Sequence, residues 1–241
     1  MNLLERCHVM HRAWRFRLKH DRHEIAYLHK HVSLGDTVVD IGANKGAYTY
    51  WLSKAVGPQG HVFAYEPQPA LASFLNDQRA CFGWSNTKII NAGLSSQAGE
   101  LDLLQPRNNP LGGATLESRP ESAGKSYIRV QIETLDELLQ QDFRQRVSFI
   151  KCDVEGHEQR VFEGGERLLR EHRPILLFEC QKCKSEELFP YLRSLGYSGR
   201  FAFINARSIP FAEFAWRGEL EGLLGNFVFV HERQQMTGRA A

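Results

Sequence analysis

Asp40, Gly42, Asn44 and Gly46 have the clearest chemical meaning in the chain, inside the stretch VVDIGANKGAYTYWLSKAVG from Val38 to Gly57. An apolar run, a glycine-bearing turn and an amphipathic start read as strand, turn and helix. A dinucleotide-binding turn would read GxGxxG, its second glycine letting the backbone approach a pyrophosphate. Asn44 occupies that position and GxxxxGK[ST] is absent from the chain, so the turn is not built for phosphates. The helix beginning near Gly46 instead offers N–H groups and a partial positive end to a carboxylate. Asp40, leaving the strand just before the turn, is placed to meet an ammonium.

A further carboxylate follows in Tyr65-Glu66-Pro67, with Glu66 24 residues beyond Gly42. An acid at the end of a second strand can accept hydrogen bonds from both ribose hydroxyls. Carboxylate, ammonium and adenosine occur together in S-adenosylmethionine, which is therefore the expected cofactor. Asn91, ending the third strand, is expected to meet the adenine edge through its side chain or adjoining backbone, with a turn-forming role as the alternative. Tyr48, Tyr50 and Trp51 recur through the first helix and are expected to pack rather than stack on a ligand.

Asp153, Glu155, His157, Glu158 and Glu179 all fall at, or just past, the expected carboxyl ends of the fourth and fifth strands. Ligands bind at that rim in open α/β sheets. Methyl transfer from a sulfonium is an in-line displacement, so the protein supplies positioning and removal of the acceptor's proton. Asp153 is the first choice to face donor and acceptor, with Glu155 next. His157 is a base suited to neutral pH, or simply the first residue of the following helix. Glu179 is a base, a positioning group or a brace. Asp153 and Glu155 could also hold Mg²⁺ and draw an acceptor hydroxyl toward deprotonation, so metal dependence stays open.

These residues need a doubly wound α/β frame. Candidate strands fall at 37–42, 61–66, 87–92, 147–153, 174–180, 199–204 and 226–231, and helical patterns at 46–56, 69–82, 157–170 and 185–195. TVVDIG, VSFIKCDV and PILLFEC are nearly continuous apolar runs, as expected of strands buried on both faces of a parallel sheet. NFVFVH follows a glycine-rich turn rather than a helix, which predicts an antiparallel closing strand. Between strands three and four, ELDLLQP and YIRVQIE suggest an inserted β-pair followed by a short helix. The polar stretch between that pair is long for a compact domain. It reads as a lid or a locally disordered segment, with Arg107, Gly112, Gly113 and Arg119 as groups that could close over an acidic acceptor.

The 241 residues suit one α/β domain, residues 34–241, preceded by a basic helical extension, residues 1–33. Residues 1–31 hold seven Lys and Arg, three acids and six of the ten histidines, leaving the remainder close to neutral. That leader is expected to pack on the domain through Leu3, Leu4, Trp14, Leu18, Ile25 and Leu28, an acidic or phosphate-rich partner being the alternative. No apolar run spans a membrane and no signal-peptide core appears, so the expected location is cytoplasmic. Five cysteines, an odd number, argue against a disulfide framework, and Cys180-x-x-Cys183 lacks a second ligand pair for zinc.

The segment Ile150-Lys151-Cys152-Asp153-Val154-Glu155-Gly156-His157-Glu158, with RVFEGGERLL and PILLFE after it, resembles the FkbM family of S-adenosylmethionine-dependent methyltransferases. The likeness extends to VDIGANKG at Val39–Gly46, to AYEP at Ala64–Pro67 and to NAGLS at Asn91–Ser95, so it covers about residues 34–231. The resemblance implies a class I methyltransferase fold, Rossmann-like, and transfer of a methyl group to a hydroxyl of a sugar or natural product. It does not identify the acceptor. Methylation of a carboxylate or amine and a catalytically silent cofactor-binding partner are the alternatives, with a homo-oligomer as a further possibility. No [DNS]PP[YFW] segment marks an amine-methylating nucleic-acid enzyme, so nucleic acid is not the expected substrate.

Overall fold

The computed structural model describes residues 3–106, 114–117, 125–140, 146–204, 207–212 and 224–235. Arg107, Gly112, Gly113 and Arg119 lie outside the described residues, as does the side chain of Cys183.

The central sheet runs from β1 (Thr37–Ile41), β2 (His61–Tyr65) and β3 (Thr87–Ile90) to β7 (Val147–Cys152), β8 (Ile175–Gln181), β9 (Tyr197–Ile204), β10 (Arg207–Pro210) and β11 (Leu224–His231). Its spatial order is β10-β9-β11-β8-β7-β1-β2-β3. β3, β2, β1, β7 and β8 pair in parallel, while β11 runs antiparallel to both β8 and β9. The antiparallel C-terminal strand is thus inserted between its neighbours. The edge hairpin of β9 with β10 is an addition that periodicity did not reveal, because RSIP is short and half polar. Reversal of strand order at β1 opens the crevice where a ligand of a doubly wound sheet binds.

Alternation along each strand sends residues to two cores. Val39, Ile41, Phe63, Tyr65, Ile150, Phe178 and Phe229 join one face, under the helices α5 (Glu158–Glu163), α6 (Glu166–His172) and α7 (Lys182–Ser194). Val38, Val62, Phe149, Leu177 and Val228 join the other, under α2 (Arg22–His31) and α3 (Ala47–Val56). α4 (Pro69–Phe82) packs Leu75 against Ala64 on this second face. The pattern expected at 157–170 is not one helix but α5 and α6, broken at Gly164–Gly165. A Cβ on Gly164 would run into the Ser95 carbonyl oxygen, so only glycine lets the break dock there.

The insertion forms a second sheet of β4 (Gly93–Leu94), β5 (Gly99–Pro106) and β6 (Lys125–Glu133), in the order β4-β6-β5. A 3₁₀ turn, Leu135–Gln140, follows it. The expected β-pair with a short helix is present.

The N-terminal segment is helical: α1 (Leu3–Arg15), a π-helical turn at Phe16–His20, then α2. Its buried face matches the expected one in part, and the side chain of Leu3 lies outside the described residues. Ile25 and Leu28 are buried, but Leu4 and Leu18 are 73% and 68% exposed, while Val9, Ala13 and Tyr27 take the inward positions. The wider π turn changes the angular register between α1 and α2, so a single helical period cannot predict both faces. α3 is the platform for this segment. Trp51 Nε1 donates to the Ala13 carbonyl at 2.9 Å, Tyr48 Oη donates to Asp21 Oδ2 at 3.0 Å, and Trp14 meets Trp51 edge-on at 5.1 Å. The aromatics of α3 pack, as their spacing predicts. Among the described residues no helix is long and apolar enough to cross a membrane.

Candidate active site

The carboxyl ends of β1, β2 and β7 open onto one cleft of about 650 Å³, its mouth included, lined by Gly42, Asn44, Glu66, Gln68, Ala92, Leu94, Leu103, Leu116, Asp153 and Glu155 among others. At its floor Gly42 has φ +75°, and a Cβ there would strike the Asp153 carbonyl oxygen. That position therefore requires glycine for both its backbone and its space. The turn is pinned by the Gly42 and Ala43 N–H groups, which donate to the Tyr65 carbonyl at 3.1 and 3.0 Å. Gly46, at φ 78°, begins α3 without any side-chain cap, leaving first-turn N–H groups available at the turn.

Glu66 is 3% exposed. Asn44 N–H donates to its Oε2 at 2.8 Å and Gln68 N–H to its Oε1 at 2.9 Å. Burial pushes this carboxyl above its usual range, and the two N–H bonds oppose that shift. Each oxygen keeps a further lone pair beyond the one engaged by the backbone. Asn91 is exposed and gives its amide hydrogens to the Glu66 and Pro67 carbonyls at 2.9 and 3.0 Å, so its side chain braces the loop after β2. The cleft wall beyond Asn91 consists of Ala92, Gly93 and Leu94. An adenine there would meet backbone and apolar surface rather than the Asn91 amide.

Asp40 departs from its expected place. It is fully buried, takes a hydrogen bond from Thr49 of α3, and borders neither this cleft nor the next. Residue alternation explains this: Val39 and Ile41 face the cleft side of β1, so Asp40 faces α3. Burial raises its pKa, opposed by the Lys151 ammonium and by Thr49.

Lys151, which the residue types did not single out, organises the rim. It is buried, its Nζ lies 3.1 Å from Asp153 Oδ2, and it sits 4.8 Å above the Tyr48 ring. Burial favours the neutral amine, yet Asp153 and Asp40 outweigh it and raise the pKa. A lysine in the otherwise apolar run VSFIKC was the available signal. Asp153 is 36% exposed at its side chain and lines the cleft, with its N–H donating to the Ile41 carbonyl at 3.0 Å. Glu155 also lines it, with φ 56° and its carbonyl accepting from Thr115 Oγ1 at 2.9 Å.

The other rim residues stand back from the cleft. His157 is buried, with Nε2 3.0 Å from Ser95 Oγ and Nδ1 2.8 Å from Glu117 Oε1, and it does not border the cleft. It ties β4 and the Thr115–Glu117 segment to the start of α5. Glu158 Oε1 accepts from the Val154 and Gly156 N–H groups at 3.2 and 3.1 Å, clamping the turn, and burial pushes its pKa up to about 7. Glu179 on β8 is half-buried and off the cleft lining; burial first, then the negative charges of Asp153 and Glu155, push it up to about 8. Among the described residues no group of three or more His, Cys, Asp or Glu is arranged to hold a metal, so the Mg²⁺ expectation at Asp153 and Glu155 gains no support.

A second cleft adjoins the first, lined by Arg12 and Phe16 of the N-terminal segment with Gly42, Asn44, Lys45, Ala47, Tyr48, Lys151 and Asp153. The two share Gly42, Asn44 and Asp153.

Comparison with known proteins places this geometry. Residues 40–198 match the model of the methyltransferase FkbM domain. A stretch of 70 residues is 30% identical to protein-L-isoaspartate O-methyltransferase of Ignicoccus hospitalis, covering 28% of this chain and 33% of that protein. The solved structure of methyltransferase FkbM from Methylobacillus flagellatus KT aligns with a TM-score of 0.53 at 16% identity, over 80% of this chain and 43% of that one. Aeropyrum pernix fibrillarin, solved with natively bound S-adenosyl-L-methionine, aligns at 0.51 and 13% identity, over 87% and 74%. The chain thus spans a third of the curated relative and under half of the FkbM structure. At these identities the solved structures establish the α/β fold of class I methyltransferases. With a family match running across more than half of its length, the chain belongs to the FkbM methyltransferase domain family.

Proposed function

We propose that the protein transfers the methyl group of S-adenosylmethionine to a hydroxyl oxygen of a small acceptor, a saccharide or natural product. The observation that carries this reading is the continuity of one cleft from Glu66, at the end of β2, past Gly42 to Asp153 and Glu155, at the end of β7. The residues fit the cofactor: Glu66 offers oxygens to the ribose, and Ala92, Leu94, Leu103 and Leu116 offer apolar surface to the base. S-adenosylmethionine supplies an electrophilic methyl on a sulfonium. The chain's task is to exclude water, align the acceptor and take its proton.

Asp153 and Glu155 are the groups that border the space a reacting hydroxyl would occupy, with Asp153 oriented by Lys151. The charge of this rim also bears on the acceptor. Asp153 and Glu155, joined above about pH 8 by Glu179, repel a carboxylate acceptor and would keep an amine protonated, whereas a neutral hydroxyl donates a hydrogen bond to them. His157 serves as a brace in this reading.

Calorimetric titration with S-adenosylmethionine, followed by a screen of hydroxyl, carboxyl and amine acceptors, tests the proposal. Micromolar cofactor binding that Glu66→Ala abolishes, with turnover confined to hydroxyl acceptors, is the expected result. A folded protein that never binds the cofactor, with or without acceptors present, overturns it.

A further inference from the structure

The second cleft contains an arrangement of charge that the family match does not cover, because Arg12 and Phe16 precede the matched segment 40–198. Arg12 and Lys45 both line it, and among the described residues neither has a hydrogen-bond or ion-pair partner for its charged end. Burial and the neighbouring Arg15 lower the Arg12 pKa, so an anion entering the cleft would relieve both the desolvation and the repulsion. Ala47 and Tyr48, the first residues of the uncapped helix α3, form part of the same wall. Asp153 lines the same cleft, part-exposed: its Oδ2 lies 3.1 Å from the Nζ of Lys151, which also borders the cleft, and among the described residues its Oδ1 has no partner.

A simple anion would gain from Arg12 and Lys45 but leave Asp153 Oδ1 without a donor. A zwitterion satisfies both sides, its carboxylate toward Arg12 and Lys45 and its ammonium toward Asp153. An α-amino-acid end has that charge pattern. Asp40, the acid that the turn motif suggests for an ammonium, is sealed beneath α3 and borders neither cleft, which leaves Asp153 to that role. The shared border at Gly42, Asn44 and Asp153 means that one molecule can lie across both clefts, nucleoside in the first and amino-acid tail in the second.

The geometry points to Arg12, supplied by the N-terminal extension, as the residue that binds the carboxylate of the cofactor's methionine tail, with Lys45 beside it and Phe16 covering the tail. This rests on the S-adenosylmethionine reading above. It makes the extension a wall of the cofactor site and gives a selectivity: adenosine thioethers that lack the amino-acid tail forfeit these contacts.

The test compares S-adenosylhomocysteine with 5′-methylthioadenosine, which has the same nucleoside and thioether but no zwitterion, by calorimetry on the full chain. Wild type is expected to prefer S-adenosylhomocysteine. Arg12→Ala should weaken that ligand about tenfold while changing 5′-methylthioadenosine less than twofold, and Arg12→Lys should restore part of the loss. Arg15→Ala, an equal loss of charge at an exposed position of the same helix, should leave both affinities unchanged. Arg12→Ala with undiminished S-adenosylhomocysteine binding overturns the inference, as does an equal loss for both ligands, which would place Arg12 in the fold rather than against the tail. Wild type that binds neither compound sinks the cofactor reading itself, and this inference with it.

Discussion

The two ends of the main cleft are built on opposite principles. At the end of β2, Glu66 is buried with each oxygen already engaged by a backbone N–H, from Asn44 on one side and Gln68 on the other. At the ends of β7 and β8, Asp153 is paired with Lys151 while Glu155 and Glu179 stand nearby, and burial first, then the charges of Asp153 and Glu155, push Glu179 up to about 8. The first end is fixed before a ligand arrives, so little ordering is left to oppose binding. The second end keeps charge in tension, and a proton moved there changes the energy of every neighbour. In the proposed reading, recognition falls to hydrogen-bonded geometry and reactivity to electrostatics.

The sharpest way to break this contrast is at the charged end. Asp153→Asn removes the acid that faces both clefts and strands Lys151, and cofactor affinity and turnover are both expected to fall, turnover by about 10²-fold or more in a methyl-transfer assay. On the fixed side, Gly42→Ala forces a Cβ into the Asp153 carbonyl at a left-handed φ. A loss of about 3 kcal/mol, read by denaturant titration, is expected from overpacking and backbone strain together. Glu66→Gln leaves one backbone N–H facing an amide donor, and should cost about 1–3 kcal/mol of stability along with cofactor affinity. A Glu66→Gln protein that keeps both would show that this end is not held by its hydrogen bonds.

Protonation sharpens the same comparison. Ionisation of Glu179 through about pH 8 adds a negative charge to the rim that is to draw the acceptor's proton. Rate is therefore expected to climb across pH 7–9 in wild type, and Glu179→Gln should flatten that step. Glu24 of α2 supplies the smallest expected effect. Burial raises its pKa from 4.5 to about 7, so the folded state holds that proton more tightly than the unfolded chain does. The resulting stability is complete below about pH 4.5 and is lost as the pH rises through about 7. Glu24→Gln should melt above wild type at pH 8, by about 1–2 kcal/mol after allowing for partial solvent screening, with the gap closing toward pH 4.5.

Most of the frame was legible because burial on both faces writes itself as uninterrupted apolar runs. TVVDI, VSFIKC and ILLFEC lie within one or two residues of their expected bounds. Gly42 and Glu66 were expected at a turn and at a strand end, and both line the cleft. What escaped was orientation. One residue of alternation separates Asp40 beneath α3 from an acid in the cleft, and a motif cannot show which face it takes. His157 and Glu158 had the right composition for a rim, but partners from Ser95, Glu117 and two backbone N–H groups turned them into clamps. Those partners come from remote segments, which sequence spacing does not encode. The outward Leu4 and Leu18 were misleading for a different reason, the π turn at Phe16–His20.

α3 begins at the turn beneath the cleft and carries, on its side, the anchors of the N-terminal helices: Trp51 to Ala13 and Tyr48 to Asp21. One rigid rod therefore joins two regions far apart in the chain, so their local opening equilibria are coupled. A small molecule that steadies the first turn of α3 is expected to slow amide exchange along residues 3–31, and removal of the Trp51 indole donor is expected to loosen the turn in return. Such coupling is reciprocal by thermodynamic necessity. The leader, basic and outside the matched domain, would report occupancy of the cleft through its exchange rates.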